Sequence, residues 1–289
     1  MAPFLLCSRK CLLLVLMISA VPLGFGWVIL VPEDHTSGST VIEAKSVIKE
    51  SELAGNASLG MVIDRPRNRL LVVSVDFLGN LYSAVAAYDL TTWNRLFLTQ
   101  LSGPGDGKAM ADDVALDEDG NAYVTDVRGG KIWKIGVDGE LLTTIRSPLF
   151  TFKEWYKNLL SLNGIVYHPD HGFLLVIHYS TGTLYKINPK TEEVKLVKLV
   201  GGGSLVFGDG IELLSPTKLV VAGYPSGRLV ESLDGWETAK VVAKYSGPIH
   251  RLATSATVKD GKVYLNHMVG FGFPNRKHNI VEAVFKPVS

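Results

Sequence analysis

Short apolar runs rich in Val, Ile, Leu and Tyr alternate with turn-forming clusters through most of this chain. The clusters include Asp119-Gly120-Asn121, Arg128-Gly129-Gly130, Asp138-Gly139, Ser180-Thr181-Gly182, Asp234-Gly235 and Asp260-Gly261. Runs of that length, bounded by glycine with Asp, Asn or Ser, predict strands joined by hairpins. One segment, residues 153–160, breaks the pattern and predicts a short inserted turn of helix.

The strands repeat in register. Asp112-Asp113-Val114-Ala115 leads into Asn121-Ala122-Tyr123-Val124-Thr125-Asp126 and then Lys131-Ile132-Trp133-Lys134-Ile135. Leu162-Asn163-Gly164-Ile165-Val166-Tyr167 opens a second such unit, Gly208-Asp209-Gly210-Ile211-Glu212 a third, and blunter copies begin at Leu59 and Ala253. The equivalent positions 59, 112, 163, 209 and 253 predict blades of four short strands, the signature of a β-propeller. A blade cannot bury both faces alone, so the units form one all-β domain, residues 32–289, with five complete repeats and a partial first blade. Residues 39–48 are then expected beside 280–285, tying the ends together.

Composition narrows the function. Net charge is +1 over 289 residues, without the clustered basic face that nucleic-acid binding requires. Residues 1–31 read separately. Arg9 and Lys10 precede an uncharged stretch whose core, residues 12–21, has the length of a signal-peptide h-region, with Gly24 and Gly26 placed for cleavage before Trp27. Read through Val31, the same stretch is long enough to be a single-pass membrane anchor. Both readings send the propeller into the secretory pathway, to the cell exterior, a vacuole or an endomembrane lumen, and membrane contact is expected only through this segment. Cys7 and Cys11, the only cysteines, lie in it, so no disulfide framework is expected in the propeller. Asn56-Ala57-Ser58 is an acceptor sequon.

The candidate chemistry lies in the repeat. In a propeller the innermost strand of each blade lines the axis, so equivalent residues converge at one end. Asp112, Asn163 and Asp209 share such a position. Carboxylate and amide oxygens suit Ca2+ or another divalent cation. The glycines after Asn163 and Asp209 allow close backbone approach. Asp and Asn before glycine are also ordinary turn residues, so both readings stand at this level.

These segments resemble the SMP-30/gluconolactonase family, related to the paraoxonases and strictosidine synthase, and the wording of Ala111-Asp112-Asp113-Val114-Ala115 and Leu162-Asn163-Gly164-Ile165-Val166-Tyr167 resembles its plant branch. The resemblance spans residues 31–285. It implies a six-bladed SMP-30/NHL-like propeller, a divalent cation in the channel, and hydrolysis of a lactone or phosphotriester. By the same resemblance Asn163 and Asp209 match cation ligands, Asp209 also matches a proposed base, and Asp112 with Asp113 matches an Asn-Asp pair near the metals of paraoxonases. The histidine dyad of paraoxonases has no clear counterpart, with His250, His178 and His267 nearest to strand ends. The glutamate ligand that the family draws from its first blade has no match, because the hydrophobic leader stands where those strands would be. Two function classes follow. One is a divalent-metal-dependent lactone or ester hydrolase with a small-molecule substrate, Asp112, Asn163 and Asp209 as metal ligands, and Asp209 or Asp113 taking the proton. The other is a non-catalytic lumenal propeller that binds a small molecule or protein at the same mouth.

Expressed in a secretory cell, the protein is expected to be translocated and glycosylated at Asn56. A mature N-terminus at Trp27 by Edman sequencing identifies cleavage, and carbonate-resistant membrane association with an intact leader identifies an anchor. Cytosolic protein without glycan would reject both.

Overall fold

The computed structural model describes residues 27–29, 45–103, 105–224, 227–247, 252–268 and 279–288. The leader, residues 1–26, lies outside them. Strands β1 (Trp27–Ile29) and β2 (Lys45–Ile48) form a two-stranded antiparallel ribbon. Three four-stranded antiparallel blades follow: β3 (Ala57–Asp64), β4 (Arg69–Val75), β5 (Ser83–Asp89) and β6 (Arg95–Ser102); β7 (Ala111–Leu116), β8 (Ala122–Asp126), β9 (Lys131–Ile135) and β10 (Leu141–Ile145); β11 (Leu162–His168), β12 (Phe173–His178), β13 (Leu184–Ile187) and β14 (Val194–Leu199). The fourth blade is β15 (Gly208–Ser215), β16 (Lys218–Gly223), β17 (Gly227–Glu231) and β18 (Thr238–Tyr245). The fifth has three described strands, β19 (Leu252–Lys259), β20 (Lys262–Met268) and β21 (Asn279–Glu282). The inner strands begin within two residues of the positions read from the repeat. Residues 153–160 hold a 3-10 turn at Trp155–Asn158, preceded by another at Pro148–Phe150.

The apolar runs follow from how blades stack. The second strand of a blade is buried on both faces, so its apolar residues run on without a polar interval. In β4, Leu71, Val73 and Val75 face the second blade and pack with Val114, Val124 and Trp133. Leu70 and Val72 face the other way and pack with Val47 and Ile48 of the ribbon. The same two-sided arrangement gives a core between blades two and three around Tyr123, Ile132, Ile165 and Tyr185, one between three and four around Leu175, Ile177, Leu219 and Trp236, and one between four and five around Val220, Ala253 and Leu265. Each fully buried Val, Leu or Ile contributes about 1.5–3 kcal/mol relative to exposure.

The chain ends differ from expectation. Lys45–Ile48 pairs with Trp27–Ile29 rather than with the C-terminal segment. Asn279–Glu282 pairs with β20, and the chain then reaches β22 (Lys286–Pro287), which pairs antiparallel with β18 of the fourth blade. The outer strands β14 and β18 also meet in parallel at Lys198↔Thr238 and Leu199↔Ala239. Edge strands carry unpaired backbone groups and take whichever edge stands nearest.

Every inner strand bulges at its site end. Pairing slips between Ser58 and Met61, Ala111 and Val114, Leu162 and Ile165, Gly208 and Ile211, and Ala253 and Ser255. A bulge adds one residue and re-aims the side chains beside it. Neighbouring bulges press together. A Cβ on Gly164 would stand 2.4 Å from the Asp209 carbonyl oxygen and 2.7 Å from the Ile211 nitrogen, and one on Gly60 would stand 2.6 Å from the Asp113 Cα. Gly164→Ala is therefore expected to push the β11 and β15 bulges apart and cost about 1–3 kcal/mol, read as a lower urea midpoint at unchanged slope. An unchanged midpoint would mean that the bulges are not in contact.

Candidate active site

The bulges place Leu59, Asp112, Asn163 and Asp209 at equivalent points on successive inner strands. In the fifth blade the extra residue falls one place later than the repeat indicated. Ala256 pairs with Leu265 as Ile211 pairs with Val221, and a Cβ on Gly210 would meet the Thr254 carbonyl and the Ser255 Cα at 2.9 Å. Thr254, not Ala253, is thus the counterpart of Asp209. Ala253 is buried in the core between blades four and five.

Asp112 and Asp209 are half-buried at the axis, with protein on most sides and a small solvent contact. Both carboxyls are held above the ordinary range. For Asp112 the cause is burial, then the charges of Asp209, Asp113 and Asp126. For Asp209 it is burial, then Asp113, offset by the Gly210 N–H, the Asn163 side chain and the Arg228 guanidinium, leaving its pKa about 7. Asn163 is 6 % exposed, and its Oδ1 is buried without a hydrogen-bond partner. An orphaned buried acceptor is costly, and beside two carboxyls it marks a place suited to a cation or a donor.

Asp113 has a different setting. Its Oδ1 accepts the Val114 N–H at 2.9 Å and its Oδ2 the Ile165 N–H at 3.2 Å. It occupies the position that glycine holds in the neighbouring bulges and ties blade two to blade three. Burial raises its pKa to about 6 against those two hydrogen bonds. Thr125 reinforces the tie, donating to the Asn163 carbonyl at 2.7 Å and accepting the Asp113 N–H at 3.1 Å.

Four further residues belong to this end of the molecule and were not singled out from the repeat. Glu212 follows Ile211 on β15, and burial, reinforced by the Asp113 charge, raises its pKa to about 7. A charged residue inside an apolar strand was the available signal. Tyr179 is held strongly protonated by burial and by the charges of Asp209 and Asp112. Arg228 is buried and donates to the Tyr224 and Val206 carbonyls at 3.4 and 3.1 Å. Burial lowers its pKa to about 10, and Tyr179 and Asp209 oppose that. Asp126 gathers the N–H groups of Met110, Arg128 and Gly129 at 2.9, 3.0 and 2.7 Å. Of the histidines, His178 is fully buried with its ring edge-on to Phe152 at 5.0 Å, and burial lowers its pKa to about 4. His267 is buried against Tyr245, and His250 lies outside the described residues. Among the described residues no group of three or more His, Cys, Asp or Glu is arranged to hold a metal ion, so a cation held by Asp112 and Asp209 would also depend on the Asn163 amide, main-chain oxygens and water.

No protein-family model matches the chain, and no curated protein matches it in sequence. Solved structures match in fold. The Malassezia sympodialis allergen Mala s 1 aligns with a TM-score of 0.62 at 17 % identity, over 81 % of this chain and 79 % of that one. A chain of a nidogen/laminin complex aligns with a TM-score of 0.55 at 14 % identity, over 78 % and 76 %. A catalytically inactive virginiamycin B lyase from Staphylococcus aureus, with quinupristin, aligns with a TM-score of 0.52 at 12 % identity, over 82 % and 86 %. These likenesses show the all-β propeller fold and carry no activity with them.

Asp209 and its neighbours hold their protons to higher pH in the folded chain than in the unfolded one. The folded state therefore loses stability as pH rises from about 4 to about 7. In the presence of a chelator, Asp209→Asn is expected to raise the melting temperature by a few degrees at pH 8 and to leave it unchanged at pH 4. Equal melting temperatures at pH 8 would show that the Asp209 charge is not strained.

Proposed function

We propose that this propeller is a divalent-cation-dependent hydrolase-like protein acting on a lactone or ester, as its resemblance to the SMP-30/gluconolactonase family implies. The observation that carries the reading is the buried, partnerless Asn163 Oδ1 beside two carboxyls whose pKa values are raised. This donor set fits a hard cation: Asp112, Asn163 and Asp209 would hold it, and Ca2+ takes six to eight oxygens. When bound, such an ion polarises a carbonyl or phosphoryl oxygen and acidifies water.

The chain's own residues supply the rest. Asp209 is the proton acceptor, since it stands at the axis with a pKa already near neutrality. Asp113 holds the bulges through its two backbone contacts, which favours Asp209 over Asp113 for that role. The Tyr179 hydroxyl stays protonated and remains a donor at neutral pH. Arg228 bonds the 206 and 224 segments and favours the Asp209 charge.

One observation favours the second reading, a non-catalytic lumenal propeller. The ribbon β1–β2 has two strands where the first four blades have four, so among the described residues no sixth inner strand adds a carboxylate. One fold relative is a lyase and another belongs to a nidogen/laminin complex, so the fold itself selects neither class.

Calorimetric titration with calcium tests the site. Binding is expected in roughly the 10⁻⁴–10⁻³ M range of weak sites, with Asp209→Asn and Asn163→Ala each weakening it by about tenfold or more. A lactone and aryl-ester screen with and without calcium separates the two classes: binding without turnover supports the second. Affinity unchanged in both variants would remove the cation from the site and leave Asp112, Asn163 and Asp209 as turn residues.

A further inference from the structure

We propose that residues 146–158 are a docking element that seats the site end of the propeller on an anionic phospholipid surface. The proposal does not depend on any cation at the axis. The connections that cross this end from one blade to the next are eight residues long at 103–110 and at 200–207, but the one at 146–161 has sixteen. The extra length reads Arg146-Ser147-Pro148-Leu149-Phe150-Thr151-Phe152-Lys153-Glu154-Trp155-Tyr156-Lys157-Asn158.

The insertion is built, not loose. Phe150 is 1 % exposed and meets Tyr185 edge-on at 5.1 Å. The Tyr185 hydroxyl donates to the Leu149 carbonyl at 2.7 Å. Asn158 satisfies both backbone groups of Phe152, accepting its N–H at 2.8 Å and donating to its carbonyl at 2.7 Å. Arg128 donates to the Leu159 carbonyl at 2.7 Å. With one apolar set turned inward to hold the loop, another is turned out: Leu149 is 40 % exposed, Trp155 60 % and Tyr156 51 %. The Trp155 and Tyr156 rings meet edge-on at 6.2 Å on the second 3-10 turn. Leu78 and Leu81, in the β4–β5 loop at the same end, are 78 % and 45 % exposed.

Charge selects the occupant. Arg146 and Lys153 of the same segment are exposed, and the one acid of the segment, Glu154, is paired with Lys157 at 3.0 Å. Exposed Trp and Tyr on a segment whose Arg146 and Lys153 have no acidic partner among the described residues match the interface of a bilayer, where amphipathic rings sit at headgroup depth and anionic lipids attract the cations. A ring pair held outward on a supported loop enters that layer with little further loss of conformational freedom.

The test uses the full chain, so that the leader is constant in every comparison. The chain has five tryptophans, and the difference between it and Trp155→Phe isolates Trp155. Vesicles of phosphatidylcholine with and without phosphatidylserine, carrying brominated acyl chains, are the probe. We expect acyl-chain quenching of the Trp155 component, and loss of its quenching by aqueous iodide, on the anionic vesicles. We also expect binding to fall by about tenfold or more in Trp155→Ser/Tyr156→Ser and with rising salt. Leu196→Ser, an exposed position on the outer strand β14, should leave binding unchanged. Trp155 still quenched by iodide and not by bromine while the protein sits on vesicles would overturn the proposal, as would equal binding of the double variant or of neutral vesicles.

Discussion

Contact between the bulges of neighbouring inner strands governs this structure. At Gly60, Gly164 and Gly210 the backbone of one blade approaches that of the next within distances that no Cβ tolerates. Glycine's value there is the absent side chain. In the second blade the equivalent position is not glycine, and Asp113 turns its carboxylate to the backbone N–H groups of Val114 and Ile165. The same contact is thus made by hydrogen bonds instead of by close approach. Once these points are fixed, the residue before each is aimed at the axis, and the apolar cores between blades are set at a constant spacing.

That geometry places polar groups where the hydrophobic effect alone would not. Asp112 and Asp209 share a confined space with one buried guanidinium nearby, and the Asn163 oxygen finds no donor. Each of these costs free energy in the chain by itself. Strain of the backbone accompanies them: Phe207, two residues before Asp209, has a φ of 60°, a conformation disfavoured for an aromatic residue. The same conformation recurs away from the site, at Trp93 and Trp236, so what sets this end apart is the gathering of raised carboxyls around an orphaned amide oxygen, a concentration of polar cost expected of a working site.

The fold was legible because stacking on both faces imposes one repeated demand on the sequence. Asp112, Asn163 and Asp209 were legible because the bulge recurs once per blade and side-chain type can be compared in register. The fifth position was misplaced by one, at Ala253 instead of Thr254, because a bulge shifts alternation without leaving a residue of its own in the composition. Tyr179 and Arg228 were not legible: they come from the end of β12 and the start of β17, and only stacking of blades three and four brings them to Asp209. The partner of β22 was hidden for a related reason, since the choice between open edges is made by tertiary distance and not by the strand's own residues.

The two ends of the stack differ in chemistry, and this bears on the axis. In the fifth blade the face away from the fourth carries Ser255, Thr257, Lys259, Lys262, Asn266 and Glu282 together with Tyr264 and an exposed Ile280, a mostly polar set. In the first blade the face away from the second carries Leu70, Val72, Ala86 and Tyr88, and the ribbon covers these through Val47 and Ile48. Arg95 fastens that cover through Glu50 and Glu52 at 3.0 and 2.7 Å. Met61 and Ile63 lie on the same face, opposite Val72 and Leu70, and are 52 % and 47 % exposed. The ribbon therefore reaches the outer strands of the first blade and stops short of its inner one. Among the described residues the axis is ringed by five bulges, one of which presents the apolar Leu59. Among these five bulges the polar groups accordingly crowd to one side, from Asp112 to Thr254, and the Leu59 bulge adds none.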